Sequence, residues 1–194
     1  MILILMGPPG SGKGTQSKLI TERFDLYQLT TGGMLREEIK SHTAIGEVVE
    51  PLLKSGQFAP DSIVQHLVRD RVAKKGGKVL FDGYPRTQVQ VEDLDEILGD
   101  RGESIDAIIF LDVPETVLRQ RLAKRAQEEG RPDDSDAVFP MRWEEYTTKT
   151  AQAIDCYRGK ENFFRVDGDQ PKEEVFAEIC NALESLVVKQ SRGL

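Results

Sequence analysis

Histidine and cysteine are nearly missing from this chain. His42 and His66 stand alone, which leaves no support for a histidine metal centre or a histidine-based triad. Cys156 and Cys180 lie 24 positions apart without CxxC spacing. They read as reduced structural thiols, not as a disulfide or a zinc site. Long apolar runs are lacking too. The longest, Met1–Met6, is far too short to cross a bilayer, and it has neither the basic flank nor the cleavage site of a signal peptide. The expected setting is cytoplasmic, away from membranes. Positive charge is in deficit, with 26 Lys and Arg against 33 Asp and Glu and a net charge of −7. A general nucleic-acid binder needs a broad basic face, so nucleic acid is not an expected partner.

What remains is an ordinary mixture, 39% hydrophobic and 30% charged over 194 residues, enough for one sizeable core. No repeat, low-complexity tract or linker divides residues 1–194. Met1–Met6 ends in glycine and suits a strand buried on both faces. Similar runs recur at Val79–Phe81, Ala107–Leu111 and Phe163–Val166, with a weaker one at Tyr27–Leu29. Helical patterns fall at Lys13–Phe24, Gly33–Lys40, Asp61–Lys74, Val89–Leu98, Glu115–Ala126, Val138–Tyr157 and Lys172–Val188. Strand and helix alternate, which predicts an α/β fold: five parallel strands with helices on both faces. In such sheets ligands bind beyond the carboxyl ends of the strands.

After the first strand comes Gly7-Pro8-Pro9-Gly10-Ser11-Gly12-Lys13-Gly14-Thr15, close to G-x-x-x-x-G-K-[ST]. Glycines let the backbone curl its N–H groups toward a phosphate, and the following helix adds the positive end of its dipole. Lys13 can reach the terminal phosphates as a flexible point charge. The strict pattern places a hydroxyl where Gly14 stands; here it comes one residue later, at Thr15. Such a loop indicates only a nucleoside triphosphate. A guanine-reading switch would add Asn-Lys-x-Asp, but the sole asparagines, Asn162 and Asn181, are followed by Phe and Ala.

Two strands end in a carboxylate, Asp82 and Asp112, and either could hold Mg²⁺. Asp82 is preferred, because Gly83-Tyr84-Pro85-Arg86 brings a cation to the same edge, whereas Val113-Pro114 simply starts a helix. Thr30-Thr31-Gly32-Gly33-Met34-Leu35-Arg36 also suits close approach to a ligand, although Arg36 taken alone fits a solvated helix face equally well. Between residues 119 and 131, five cations (Arg119, Arg121, Lys124, Arg125, Arg131) face two carboxylates, and Arg142 follows. Arginine suits bidentate phosphate contact. An acceptor phosphate is already ionised at neutral pH and needs no base, whereas a hydroxyl acceptor would need one. A chain rich in arginine beside glycine loops and poor in histidine matches the former.

Taken together, these residues resemble the adenylate kinases of the short-lid type, within the nucleoside monophosphate kinases. The matching segments are Gly7–Gln16, Thr30–Arg36, Gly56–Asp61, Asp82–Thr87 with Gln90, Arg121–Arg125, Arg131–Asp134, Arg142 and Val166–Pro171. Gly14 is ordinary in that family. The resemblance implies a P-loop nucleoside triphosphate hydrolase-like fold in a single domain, residues 1–194. It adds a mobile AMP-binding insert at about Thr30–Ala59 and a short lid at about Ala126–Asp136. It implies the reaction ATP + AMP = 2 ADP with Mg²⁺ and no structural zinc, the lid having no cysteine, in a monomer. Gly10, Ser11, Gly12, Lys13, Gly14, Thr15, Arg121, Arg125 and Gln170 would hold ATP. Thr31, Arg36, Gln57, Phe58, Ala59, Gly83, Arg86 and Gln90 would hold AMP, with Arg131 and Arg142 spanning the transferred group. Lys13, Arg86, Arg125, Arg131 and Arg142 would be catalytic, Asp82 would position Mg²⁺ through water, and Asp133 and Asp134 would help close the lid.

Gln90 favours adenine, because its amide offers a donor and an acceptor to N1 and N6, whereas the similar uridylate–cytidylate kinases carry asparagine there. Those kinases and a catalytically idle nucleotide-binding module are the alternative readings. Two departures stand out: Gly33 replaces the family's usual Asp, and Pro140 lies just before Arg142.

Overall fold

The computed structural model describes residues 1–75, 77–129 and 134–191. Five strands form one parallel sheet: β1 (Ile2–Met6), β2 (Tyr27–Thr30), β3 (Val79–Asp82), β4 (Ala107–Asp112) and β5 (Phe163–Asp167), in the order β2-β3-β1-β4-β5. The chain starts in the centre and moves first to one side and then to the other. The carboxyl end of β1 is therefore the point at which strand order reverses, where such sheets open a crevice.

Successive side chains of a strand face opposite sides, and the core divides accordingly. Ile2, Ile4, Met6, Phe81, Ile108 and Phe110 look one way, toward the helices α2 (Thr31–Lys40), α3 (Ala44–Ser55), α4 (Asp61–Lys75) and α5 (Gln88–Gly99). Leu3, Leu5, Leu80, Ile109 and Val166 look the other way, against Ile20 of α1 (Lys13–Phe24) and Val175, Ile179 and Leu183 of α9 (Lys172–Ser191). A smaller cluster, Val113, Leu118, Leu122 and Phe139, joins α6 (Glu115–Glu129) to α7 (Phe139–Glu145).

The helical pattern anticipates α1 residue for residue and the others to within a few positions, with two differences. Helix α3 is an addition, and it carries Pro51 in its interior. Its ends are nevertheless well formed. Thr43 Oγ1 accepts from the Gly46 N–H at 3.0 Å, and Gly56 closes it with a φ of 81°, a value that favours glycine. The span expected as one helix from Val138 to Tyr157 is broken by a π-helical turn at Tyr146–Thr150, before α8 (Ala151–Asp155). Pro140 falls in the first turn of α7, where a missing N–H costs nothing. Both cysteines are free, but Cys156 is exposed, which corrects its reading as a structural thiol.

Candidate active site

The loop after β1 reaches α1 through three glycines with positive φ, Gly7, Gly10 and Gly12. A Cβ at Gly10 would meet Leu118 O and Leu122 Cγ at 3.0 Å, whereas at Gly12 it would point into open space. Gly12 caps α1 without a side-chain hydrogen bond. Lys13 Nζ folds back on its own loop, donating to Gly7 O at 2.7 Å and Pro8 O at 2.9 Å. Desolvation, and beyond it the nearby Arg86, Arg142 and Arg125, lower the Lys13 ammonium to about 7, against a pull upward from Asp82. Ser11 Oγ is buried and has no hydrogen-bond partner among the described residues. A helix N-terminus without a cap, an idle buried hydroxyl and an open concavity fit a polyphosphate.

Asp82 is buried at the end of β3. Its Oδ2 accepts from Ser17 Oγ at 2.9 Å and Gln28 Nε2 at 3.2 Å, which fixes the carboxylate beside Lys13. Among the described residues no group of three or more His, Cys, Asp or Glu could hold a metal ion. The donor set thus fits Mg²⁺ held largely by phosphates and water. At Gly33 a Cβ would come within 2.7 Å of Thr30 Cγ2, so an Asp there requires the Thr30 side chain to turn.

Of the ten residues expected to hold the acceptor, nine line one cleft of about 630 Å³, counted with the solvent it opens to. The tenth, Arg131, lies outside the described residues, as does Asp133. The cleft also uses Leu35 and Gly56, which lie in the matching segments without an assigned role, and Leu53 and Val64, which lie in none of them. Thr31 Oγ1 donates to Gly83 O at 2.8 Å, and Arg86 Nε donates to the same oxygen at 2.7 Å. Arg86 also lies over the Phe58 ring, 5.1 Å from its centroid. The Arg36 guanidinium rests beside Gly32, where a Cβ would come within 3.1 Å of it. Helix α2 begins here at Thr31, without a side-chain cap; α5, by contrast, is capped by Thr87.

The loop bearing Arg86 has a buried anchor. Tyr84 OH donates to Asp93 Oδ2, and Arg69 of α4 holds Asp93 Oδ1 at 2.8 Å. Burial, then the bond to Asp93, pushes the Tyr84 phenol well above its ordinary value. The Tyr84-Pro85 peptide bond is cis.

A second cleft adjoins the first and shares Phe58, Gly83, Arg86 and Arg142 with it. It adds Lys13 from the phosphate loop and Tyr146 and Thr150 from the π-helical turn. Arg125 grips buried Asp134 with Nε at 2.5 Å from Oδ2 and Nη2 at 2.7 Å from Oδ1, while Arg142 Nη1 holds Oδ1 at 2.5 Å. Arg121 Nη1 donates to Gly168 O at 2.9 Å, tying α6 to the loop after β5. In that loop the Gln170 side chain lies 3.5 Å from Glu178 Oε2.

The family model described as adenylate kinase matches residues 5–162. The chain is 44% identical to a protein of Caulobacter vibrioides named adenylate kinase, covering 95% of this chain and 97% of that one. It is 42% identical to a protein of the same name from Leifsonia xyli, over 93% and 92% of the two chains. A third, from Phocaeicola vulgatus, is 38% identical over 95% and 98%.

Proposed function

The chain belongs to the adenylate kinase family, and we infer from its two joined clefts that it transfers the terminal phosphoryl group of ATP to AMP, forming two ADP. The observation that carries this reading is the lining of the second cleft. It holds three cations, Lys13, Arg86 and Arg142, and among the described residues neither a carboxylate nor a histidine. That lining does not suit a hydroxyl acceptor, which needs a base. It suits an acceptor that arrives already ionised, for which alignment and charge neutralisation suffice.

On this reading the AMP base lies against Gln90, its phosphate against Arg36 and Arg86, and the ATP phosphates over Gly10–Thr15. Lys13 leaves its own carbonyls to meet the transferred group, and Arg142, common to both clefts, bridges donor and acceptor. Arg121 and the backbone near Gln170 hold the ATP base. Asp82, already oriented by Ser17 and Gln28, would hold a Mg²⁺ ion brought in with ATP, and that ion would supply neutralisation of phosphate charge. The segments near 30–59 and 126–136 act as the closing elements that keep water from competing as acceptor. In support, the first already touches α7: a Cβ at Gly56 would strike Val138 Cγ1 at 2.5 Å and Arg142 Cγ at 2.9 Å. We read the protein as a monomer, because one chain supplies both clefts, and place it in the cytoplasm; sedimentation at the mass of a single chain checks the former.

The decisive assay is ADP formation from Mg·ATP with AMP, UMP or CMP as separate acceptors. Fast turnover with AMP alone is expected. A pyrimidine preference overturns Gln90 as the base reader, and no turnover with any acceptor overturns the activity.

A further inference from the structure

An amide has no built-in direction. Turned by half a revolution, a glutamine exchanges its donor for its acceptor. Adenine presents an amine donor at N6 and an acceptor at N1. A 6-oxopurine such as hypoxanthine presents an acceptor at position 6 and an N–H donor at N1. The two bases thus offer one donor and one acceptor in reversed order, and a glutamine free to flip would serve both.

Gln90 is not free to flip. It is 2% exposed. Its Oε1 accepts from the Arg86 backbone N–H at 2.8 Å, and its Nε2 donates to Asp61 Oδ1 at 2.7 Å. A carboxylate only accepts and a backbone N–H only donates. A flip would therefore set oxygen against oxygen at one end and N–H against N–H at the other, in a buried place where neither is relieved by water. One amide N–H and one lone pair are left over for the base, on a residue that lines the acceptor cleft. Asp61 is not among the residues lining that cleft; it stands in the first turn of α4, alongside Pro60 in a neighbouring recess.

We propose that Asp61 is a specificity-determining residue that works through Gln90, locking the amide, together with the Arg86 backbone N–H, in the one orientation that admits a 6-aminopurine monophosphate and refuses a 6-oxopurine monophosphate. It touches no substrate and is a positioning residue. The proposal rests on Gln90 being the base reader.

The test compares initial rates with Mg·ATP and either AMP or IMP as acceptor in the wild-type protein, Asp61→Asn and Asp61→Ser, with a thermal melt of each. A carboxamide and a hydroxyl can both donate or accept, so each variant releases the Asp61 end of the lock while the Arg86 N–H still favours the native orientation, and either one carries the test if the other does not fold. The AMP-over-IMP ratio of kcat/KM should fall about tenfold, through the KM of the acceptor, while the KM for ATP stays unchanged. Parallel losses for AMP and IMP with a constant ratio overturn the proposal, leaving Asp61 as a brace for α4. A wild-type protein that already accepts IMP as well as AMP overturns the assignment of Gln90 itself, before any variant is compared.

Discussion

Around the phosphate loop the polar groups are occupied by one another or idle. Lys13 donates to its own loop, Ser11 Oγ has no hydrogen-bond partner among the described residues, and Asp134 fills the grip of Arg125 and Arg142. Across the cleft the acceptor side is already set. Gln90 is held at both ends, Thr31 and Arg86 share one carbonyl, and Tyr84 and Asp93 anchor the loop between them. The two halves face different demands. A triphosphate is recognised mostly through its charge, which can displace internal contacts. One base must be told from others differing by a single group, which requires polar partners fixed in advance.

The sharpest way to break this comparison is Lys13→Met. Turnover should fall by a factor on the order of 10²–10³, the range seen when one preorganised donor is removed, with far-UV circular dichroism unchanged. Near-normal ADP formation would remove Lys13 from the mechanism. Because the ammonium is held at about 7 instead of 10.5, the folded chain binds fewer protons than the unfolded chain between those values. The group therefore costs stability below about pH 7, and that cost fades as pH rises toward 10.5. Lys13→Met should accordingly match or exceed the wild-type melting temperature at pH 6, measured without nucleotide. A drop would show that its two carbonyl contacts outweigh the desolvation.

Asp134→Asn comes next. Removing one partner from a buried ion pair costs about 3–5 kcal/mol, so the unliganded melting temperature should fall by several degrees. ATP should restore more of it than it adds to the wild type, since its phosphates then meet Arg125 and Arg142 without the Asp134 carboxylate between them. Equal ATP-induced shifts would deny that Asp134 stands where phosphate goes.

A smaller effect concerns protons. Phosphates should raise the Lys13 ammonium from about 7, so ATP binding above pH 7 takes up a proton, and affinity should weaken by up to about tenfold per pH unit from 7 to 9. Calorimetry in two buffers of different ionisation enthalpy reads that proton directly; a zero count refutes the shift. The mildest change is Gly33→Asp. Once Thr30 turns aside, the added carboxylate should alter the Mg²⁺ concentration for half-maximal rate a few-fold, about 1 kcal/mol, and leave the KM for AMP alone. An unchanged Mg²⁺ dependence means the glycine is neutral.

Legibility in the sequence followed the same divide. The phosphate loop is contiguous, so Gly7–Thr15 could be read as a motif, and the sheet followed from apolar runs of strand length. Helix α3 was hidden by Pro51, although Thr43 and Gly56 marked both its ends. The acceptor half is assembled from distant segments. Asp61 lay within the segment Gly56–Asp61, but nothing local shows it meeting Gln90, 29 positions away. The burial of Asp134 between two arginines is likewise a tertiary fact. Charge pattern found those arginines without finding their occupant.

The central place of β1 has a consequence for how the molecule is made. Ile2 pairs with Val79, and Leu3 with Ala107, so β1, made before both partners, waits until the chain reaches β3 for its first neighbour and until it reaches β4 for its second. At ordinary elongation rates of about 5–20 residues per second, that wait lasts several seconds. Until β3 is made, Ile2–Met6, entirely buried in the finished sheet, has no native partner on either edge, and one edge stays open until β4 follows. Exposed apolar strands of this kind are where nascent chains aggregate or recruit holdases. The interval in which this protein most needs a chaperone therefore closes only as β4 emerges.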